Sequence, residues 1–364
     1  MAALAHNAEH KEEIVLGRLL LDTLRAIPGV EAALAPATRS QADHGYDFRV
    51  EARFAGRPLT LLVEAKSVVY PRDVRQLLWK LRALASQPSP AENVHLIAAA
   101  SLSTGAKDLL RAEGTSYFDS GGSLYLSAPG AYVYIEKPPP KVEAARMRSL
   151  FSGRRAQVVH ALLMERDQWV DVKGVAERSQ VSPATASEVL SEVEMLDWIE
   201  VRGRGPRKER LLRDPRALLD AWARDVAASR PPMLQRYFVP GAKADGLMDR
   251  VAGALDGSGV HYAMTYEAAA QRYAPFLTTA GQVRCRVPAS DALTATLREL
   301  GARPVREGAN LAIMEVKTLG ELLFRQRVGQ AWLASPVHVY LDLLRGEGRS
   351  KELAQHLREE RIGF

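Results

Sequence analysis

Three charged side chains at one end of a predicted β-hairpin could hold a metal ion and act on a phosphate ester. Asp47 lies in the first strand, and Glu64 and Lys66 lie at the end of the second. Residues i and i+2 of a strand share a face, so Glu64 and Lys66 project together, and Asp47 joins them if it lies across the ladder. Two carboxylates suit Mg²⁺, and an adjacent ammonium group can orient water or stabilise developing phosphate charge. The pattern predicts a candidate Mg²⁺ site with Asp47 and Glu64 as ligands.

The elements around these residues favour the same interpretation. The hairpin spans residues 45–66, and its turn at 55–58 contains the glycine and proline that are typical of turns. A helix is predicted from about residue 72 to residue 85, because apolar side chains recur there at helical spacing. The apolar stripe consists of Val74, Leu77, Leu78, Leu81 and Leu84. Gln76 lies beside this stripe, close to the predicted site.

The order of an aspartate, sixteen residues, Glu-x-Lys and a helix resembles the PD-(D/E)XK (restriction-endonuclease-like) superfamily. The resemblance implies a nuclease-like α/β domain over residues 1–140, which ends in the proline spacer 138–140. It implies catalytic roles for Asp47, Glu64, Lys66 and Gln76. Mg²⁺ is then the expected cofactor if the site is active. If the site is silent, no cofactor is expected. The alternatives are a silent site that serves as a scaffold, and a solvated strand edge whose charges keep the hairpin soluble.

A second cluster of candidate residues, which is basic, lies within residues 147–213. Ser182 is a favourable N-cap and Pro183 a favourable first residue for a helix over 183–196 with small polar side chains in its first turns. A predicted hairpin with a tip rich in arginine and lysine follows. This arrangement resembles the winged helix-turn-helix of bacterial transcription regulators, which implies that the helix enters a major groove and the hairpin contacts phosphates or the minor groove. The candidate DNA-binding residues are Ser182, Thr185, Ser187, Arg202, Arg204, Arg207, Lys208 and Arg210. The alternative is a winged helix used only for packing or dimerisation.

The remaining residues, 214–364, alternate between predicted helices and strands. The stretch from Pro336 to Arg358 resembles the C-terminal part of the regulators related to type IV abortive-infection antitoxins, the AbiEi-like group. The resemblance implies a minimal nucleotidyltransferase scaffold, but a Gly-Ser pair followed by Asp-x-Asp is missing from this sequence. We therefore expect a degenerate nucleotidyltransferase-like α/β module that serves partner binding or dimerisation.

Composition limits the classes of protein that the chain can belong to. With 364 residues, of which 47% are hydrophobic and 25% charged, a multi-domain α/β protein is expected. The single cysteine excludes an intramolecular disulfide and a zinc ribbon, and it suits a reducing cytoplasm. The sequence shows neither a long apolar run nor a secretion signal, so a cytoplasmic location without a membrane partner is expected.

These observations lead to one functional interpretation and an alternative. The formal net charge of +6 is concentrated around the predicted hairpin tip, which points to double-stranded DNA as a partner. The first interpretation is therefore a bacterial, antitoxin-like transcription regulator that carries a nuclease-like domain. Its protein partner would be a cognate toxin or a second copy of the chain. The alternative is a Mg²⁺-dependent DNA endonuclease that its winged helix directs to DNA.

Overall fold

The computed structural model describes residues 2–35, 46–85, 93–138, 141–241, 244–276 and 282–364. They belong to two compact units, the first Met1–Met147 with Glu192–Asp197 and the second Arg148–Ser191 with Trp198–Phe364. Gly45 of the predicted hairpin, and Pro139 and Pro140 of the predicted spacer, lie outside the described residues. Helices combine with mixed sheets in the described parts, so the expected multi-domain α/β class is confirmed. None of the described helices is long and apolar enough to cross a bilayer.

The first unit is built on a seven-stranded sheet in which neighbouring strands follow the order of the chain. The strands are β1 (Val30–Leu34), β2 (Phe48–Phe54), β3 (Arg57–Val69), β4 (Asn93–Leu102), β5 (Ser116–Asp119), β6 (Leu124–Ala128) and β7 (Ala131–Ile135). The helices are α1 (Ala2–Arg25), α2 (Pro71–Ala85) and α3 (Thr104–Ala112), and α4 (Lys141–Leu150) follows the last strand. The central strands β3, β4 and β5 are parallel, because α2 and α3 return the chain to the same edge. The outer pairs are antiparallel.

Burial alternates along β2 and β3, and different helices cover the two faces of this sheet. On one face, α1 packs Leu20 and Leu24 onto Val50, Leu61 and Val63. On the other face, α2 and α3 cover the sheet with buried side chains that include Val74, Leu77, Leu81 and Leu110. The apolar stripe predicted for α2 is thus confirmed for Val74, Leu77, Leu78 and Leu81, and the side chain of Leu84 lies outside the described residues. Since successive strand residues point to opposite faces, Glu64 and Lys66 of β3 lie on the α2 side and Ala65 lies on the α1 side.

The second unit begins with a helix-turn-helix followed by a hairpin. Its elements are α5 (Gly153–Met164), α6 (Val172–Arg178), α7 (Pro183–Met195), β8 (Ile199–Arg202) and β9 (Glu209–Leu212). The hairpin is antiparallel, and Val170 adds a bridge to Arg210. Gly203 opens the tip with a φ of +75°, and a Cβ atom there would lie 2.3 Å from the carbonyl oxygen of Arg207. Only glycine therefore permits this tight tip.

The rest of the second unit surrounds another seven-stranded sheet. The helices are α8 (Pro215–Ala228), α9 (Ala244–Gly257), α10 (Tyr266–Tyr273), α11 (Asp291–Glu299), α12 (Pro336–Leu343) and α13 (Ser350–Leu357). The strands are β10 (Leu234–Phe238), β11 (Ala263–Thr265), β12 (Val283–Pro288), β13 (Arg303–Pro304), β14 (Leu311–Val316), β15 (Gln326–Val328) and β16 (Ala331–Leu333). Their order across the sheet is β13-β10-β14-β12-β11-β16-β15.

Candidate functional site

Asp47 is fixed to β3 by its backbone and by its side chain. Its amide N–H donates to the carbonyl oxygen of Val63 over 2.8 Å, and its Oδ2 accepts from the N–H of Ala65 over 2.7 Å. The carboxylate is exposed and lines a pocket on the α1 side of the sheet. The other polar residues of this pocket are Glu12, Glu13, Lys66 and Ser67. The Ser67 hydroxyl donates to the Glu12 carboxylate, which ties α1 to β3. Asp47 is therefore preorganised in an acidic pocket.

Glu64 lies in a different pocket, on the α2 side. Its side chain is only 5% exposed, and its Oε1 is 2.9 Å from Nζ of Lys66 and 3.0 Å from Nζ of Lys80. Its Oε2 is buried without a hydrogen-bond partner. Gln76 lines the same pocket, whereas Lys66 lines both pockets. The structure thus brings Glu64, Lys66 and Gln76 together and places Asp47 on the other side of Lys66.

The residues present do not fit one Mg²⁺ ion held jointly by Asp47 and Glu64. Their carboxylate oxygens are the right type of donor, but two ammonium groups already neutralise Glu64, and the oxygen left over is buried. In the part of the chain that the structure describes, no group of three or more His, Cys, Asp or Glu side chains is arranged to hold a metal ion. No chemical step through a metal is derived from this arrangement.

Lys80 is the residue of this site that sequence reasoning missed. It lies four residues after Gln76 on α2, so both point to the same side of the helix. The helical spacing therefore contained the signal, but only knowledge of how α2 lies on the sheet shows that Lys80 reaches Glu64. Its ammonium group changes the site from two carboxylates and one lysine into a carboxylate held between two lysines.

The helix-turn-helix presents the predicted cap and a surface of small side chains. Ser182 Oγ accepts from the N–H of Thr185 over 3.2 Å, so the predicted N-cap of α7 is confirmed. The Ser182 and Thr185 hydroxyls also lie 3.0 Å apart. Thr185 and Ser187 are half-buried, and Ala184 is exposed, while Ala186 and Val189 are buried. The first two turns of α7 therefore expose a surface of small, mostly uncharged side chains.

The hairpin tip presents fewer free cations than the sequence suggests. Arg204 and Arg207 are exposed. Arg202 pairs with Glu209 over 2.8 Å, and its guanidinium group lies 4.2 Å from the ring centroid of Trp169. Lys208 is half-buried. The described tip therefore offers Arg204 and Arg207 most directly to a polyanion.

The structure contradicts one of the predicted DNA contacts. Arg210 was expected to face DNA, but its residue is only 4% exposed. The reason is strand alternation, since Arg210 and Leu212 share the inner face of β9 while Glu209 and Leu211 do not. Burial of Arg210 makes it less accessible to phosphates than the exposed Arg204 and Arg207.

Comparison with known families concerns the part of the chain that follows this hairpin. Residues 210–363 match the family of AbiEi antitoxin transcriptional regulators of type IV toxin–antitoxin systems. The match supports the AbiEi-like resemblance of the C-terminal region. It begins at Arg210 in β9 and includes the whole second seven-stranded sheet. No curated protein and no solved structure matches the chain significantly. The nuclease resemblance of residues 1–140 stays a prediction.

A buried polar cluster joins the helix-turn-helix to the AbiEi-like segment. His160 of α5 is 1% exposed, and its Nε2 is 2.6 Å from Oγ of Ser335. The ring centroids of His160 and His338 are 4.0 Å apart. Burial lowers the pKa of His160 to about 3, helped by the charge of Arg286, and burial also lowers the pKa of His338 well below its ordinary value. Both imidazoles are therefore neutral and act as packing groups.

The cluster continues into an ion pair inside the second sheet. Arg286 of β12 donates from both Nε and a terminal nitrogen to the two oxygens of Asp342 on α12, over 2.9 and 2.6 Å. Thr265 of β11 donates its hydroxyl proton to the same carboxylate. Burial would disfavour the charge on Arg286, but the Asp342 carboxylate keeps the pKa of Arg286 raised. Sequence reasoning missed this pair, because its members are 56 residues apart.

Proposed function

We propose that this protein is an antitoxin-like transcription regulator that binds double-stranded DNA through α7 and the β8–β9 hairpin. The observation that carries the proposal is the AbiEi family match to residues 210–363, which begins inside a hairpin whose tip exposes Arg204 and Arg207. The preceding helix-turn-helix supplies a second element that suits a groove. Together they support operator binding and regulation of the protein's own expression.

The exposed surfaces suit different parts of a DNA duplex. The start of α7 shows small side chains at Ala184, Thr185 and Ser187, which lets the helix backbone approach base edges in a major groove. The hairpin tip shows guanidinium groups at Arg204 and Arg207, which suit phosphates or a minor groove. We therefore expect α7 to determine sequence preference and the tip to supply most of the salt-dependent affinity.

The test is the salt dependence of DNA affinity. Fluorescence anisotropy would measure binding of the full chain to duplexes tiled across the region upstream of its own coding sequence. The Arg204→Ala/Arg207→Ala variant should bind less tightly, and its log–log salt slope should flatten by roughly 0.9 for each lost phosphate contact. Arg303→Ala/Arg306→Ala removes two exposed arginines at and just after β13 and is the matched control. If the double variant kept the DNA affinity and the salt slope of the parent, the proposed role of the hairpin tip would be refuted.

The family match also supports a protein partner, and we propose that residues 214–364 bind a cognate toxin or a second copy of the chain. Two experiments with the full-length protein distinguish between these partners. Sedimentation across a concentration series reports self-association, and co-purification with the product of a neighbouring gene reports a toxin. A monomer at all concentrations that captures no neighbouring product would contradict this part of the proposal.

A second candidate function, Mg²⁺-dependent DNA cleavage, rests on the exposed Asp47 carboxylate beside Lys66 and the α1 carboxylates. The two lysines on Glu64 weigh against it and favour a silent site that serves as a scaffold. Supercoiled plasmid incubated with the protein and Mg²⁺ or Mn²⁺ separates the two. Nicking that the Asp47→Ala, Glu64→Ala and Lys66→Ala variants all lose would establish the endonuclease. If the plasmid stays intact, even when it carries the protein's own binding site, the silent site that serves as a scaffold is the remaining interpretation.

A further inference from the structure

A cleft in the second unit is built like a small-molecule site. Its volume is about 720 Å³, within the range typical of ligand pockets. Residues of α5, α8, β12, β14 and α12 line it, so both the helix-turn-helix and the AbiEi-like segment contribute. The buried Arg286–Asp342 pair and His338 lie in its wall and are fixed by the interactions described above. The cleft therefore has a preformed, rigid wall.

One wall of the cleft is apolar. It consists of Phe151, Trp222, Val226, Met314 and Leu341. Phe151 and Trp222 stack with their ring centroids 5.9 Å apart and 14° between their planes. Such a wall favours a ligand that has an aliphatic or aromatic group.

The polar side chains of the cleft carry both signs of charge. Arg154, Arg230 and Lys317 are exposed, and none of them forms an ion pair within the described part of the chain. The Asp225 carboxylate lies in the same cleft without a hydrogen bond or ion pair in that part. Burial raises the pKa of Asp225, against the opposing effect of Arg148 and Arg345, so an added cation would stabilise its ionised form. The cleft thus offers three exposed cations and a half-buried carboxylate influenced by Arg345, and Glu315 and Glu321 also line it.

We propose that this cleft binds a free amino acid with an apolar or aromatic side chain. The ligand's carboxylate contacts the cations at Arg154, Arg230 and Lys317, its ammonium group contacts Asp225, and its side chain packs on the wall at Phe151 and Trp222. A purely anionic ligand leaves Asp225 unpaired, and a purely cationic one leaves the three cations unpaired. A zwitterion can contact charges of both signs in this cleft. The assignment is independent of DNA binding.

Calorimetry with the full-length protein tests the proposal. The ligands are L-tryptophan, L-phenylalanine and L-leucine. The mono-ionic analogues are 3-phenylpropanoate, which lacks the ammonium group, and 2-phenylethylamine, which lacks the carboxylate. At least one amino acid should bind, and both analogues should bind at least about tenfold more weakly than phenylalanine, since each loses one charged contact. Absence of binding by all three amino acids, or equal binding of either analogue, would overturn the proposal.

Variants connect any binding to this cleft. Asp225→Asn keeps the shape of the side chain, and Arg230→Gln keeps much of its length; each should weaken amino-acid binding by about tenfold. Arg224→Gln changes an exposed neighbour on α8 that does not line the cleft, and it should bind like the parent. Unchanged affinity in both cleft variants would place the binding elsewhere. Tighter binding of adenosine monophosphate than of any amino acid, lost in Arg230→Gln, would show a nucleotide site instead.

Discussion

Acidification should destabilise the second unit through its two buried histidines. An unfolded histidine titrates near its ordinary pKa of about 6.5. Burial holds the pKa of folded His160 at about 3. At pH 5.5 the unfolded state therefore binds a proton that the folded state does not. For His160 this lowers the free energy of unfolding by about 1.4 kcal/mol. The same sign holds for His338, because burial lowers its pKa as well. This stability is complete above about pH 6.5 and is lost as the pH falls towards 3.

The assay is thermal unfolding of the full chain at pH 7.5 and pH 5.5. For a unit of this size, the loss of about 1.4 kcal/mol from His160 alone lowers Tm by roughly 3–6 °C, and His338 adds to this fall. His338→Leu removes one titrating group, so its Tm should fall less than that of the parent over the same pH interval. His356→Gln, at a half-buried histidine of α13, is the matched control and should follow the parent. Equal Tm changes in the parent and His338→Leu would refute the reasoning, as would proton resonances of His160 that titrate near pH 6.5.

Two further predictions concern close contacts inside each unit. Lys66→Ala or Lys80→Ala alone should cost less than about 1 kcal/mol of unfolding free energy in urea titrations, because both ammonium groups are partly exposed and the other one remains. The double variant should cost about 3 kcal/mol, since it leaves the buried Glu64 carboxylate without a counter-charge; simple additivity would contradict this. A Cβ atom at Gly320 would overlap the amide end of the Gln157 side chain, so Gly320→Ala should force that side chain to move and destabilise by up to about 1 kcal/mol. Adding Gln157→Ala should recover most of that loss, and a failure to recover it would show that another contact is responsible.

The parts of the fold that follow local patterns could be predicted from the sequence. The apolar stripe of α2 and the Ser182 cap of α7 each depend on a few neighbouring residues, and both are present. The inward orientation of Arg210 could not be predicted, because a four-residue strand with mixed side chains does not show which face is buried. The contact between Lys80 and Glu64 depends on how a helix lies on a sheet. The hydrogen bond from His160 to Ser335 joins residues 175 positions apart, beyond any local pattern.

The buried contacts of α5 also limit how this protein can be divided into fragments. The sequence predicts a boundary near residue 213, but the second compact unit continues from Arg148 to the end of the described chain, apart from 192–197. A fragment cut after residue 213 would expose the rings of Phe151 and His160 to water, because Trp222 and His338 pack against them. The segment proposed to bind DNA therefore cannot be moved to another protein as an independent unit. Chimeras that exchange operator specificity between such proteins should keep α5, α8 and α12 from one parent and graft only the exposed turns of α7 and the hairpin tip.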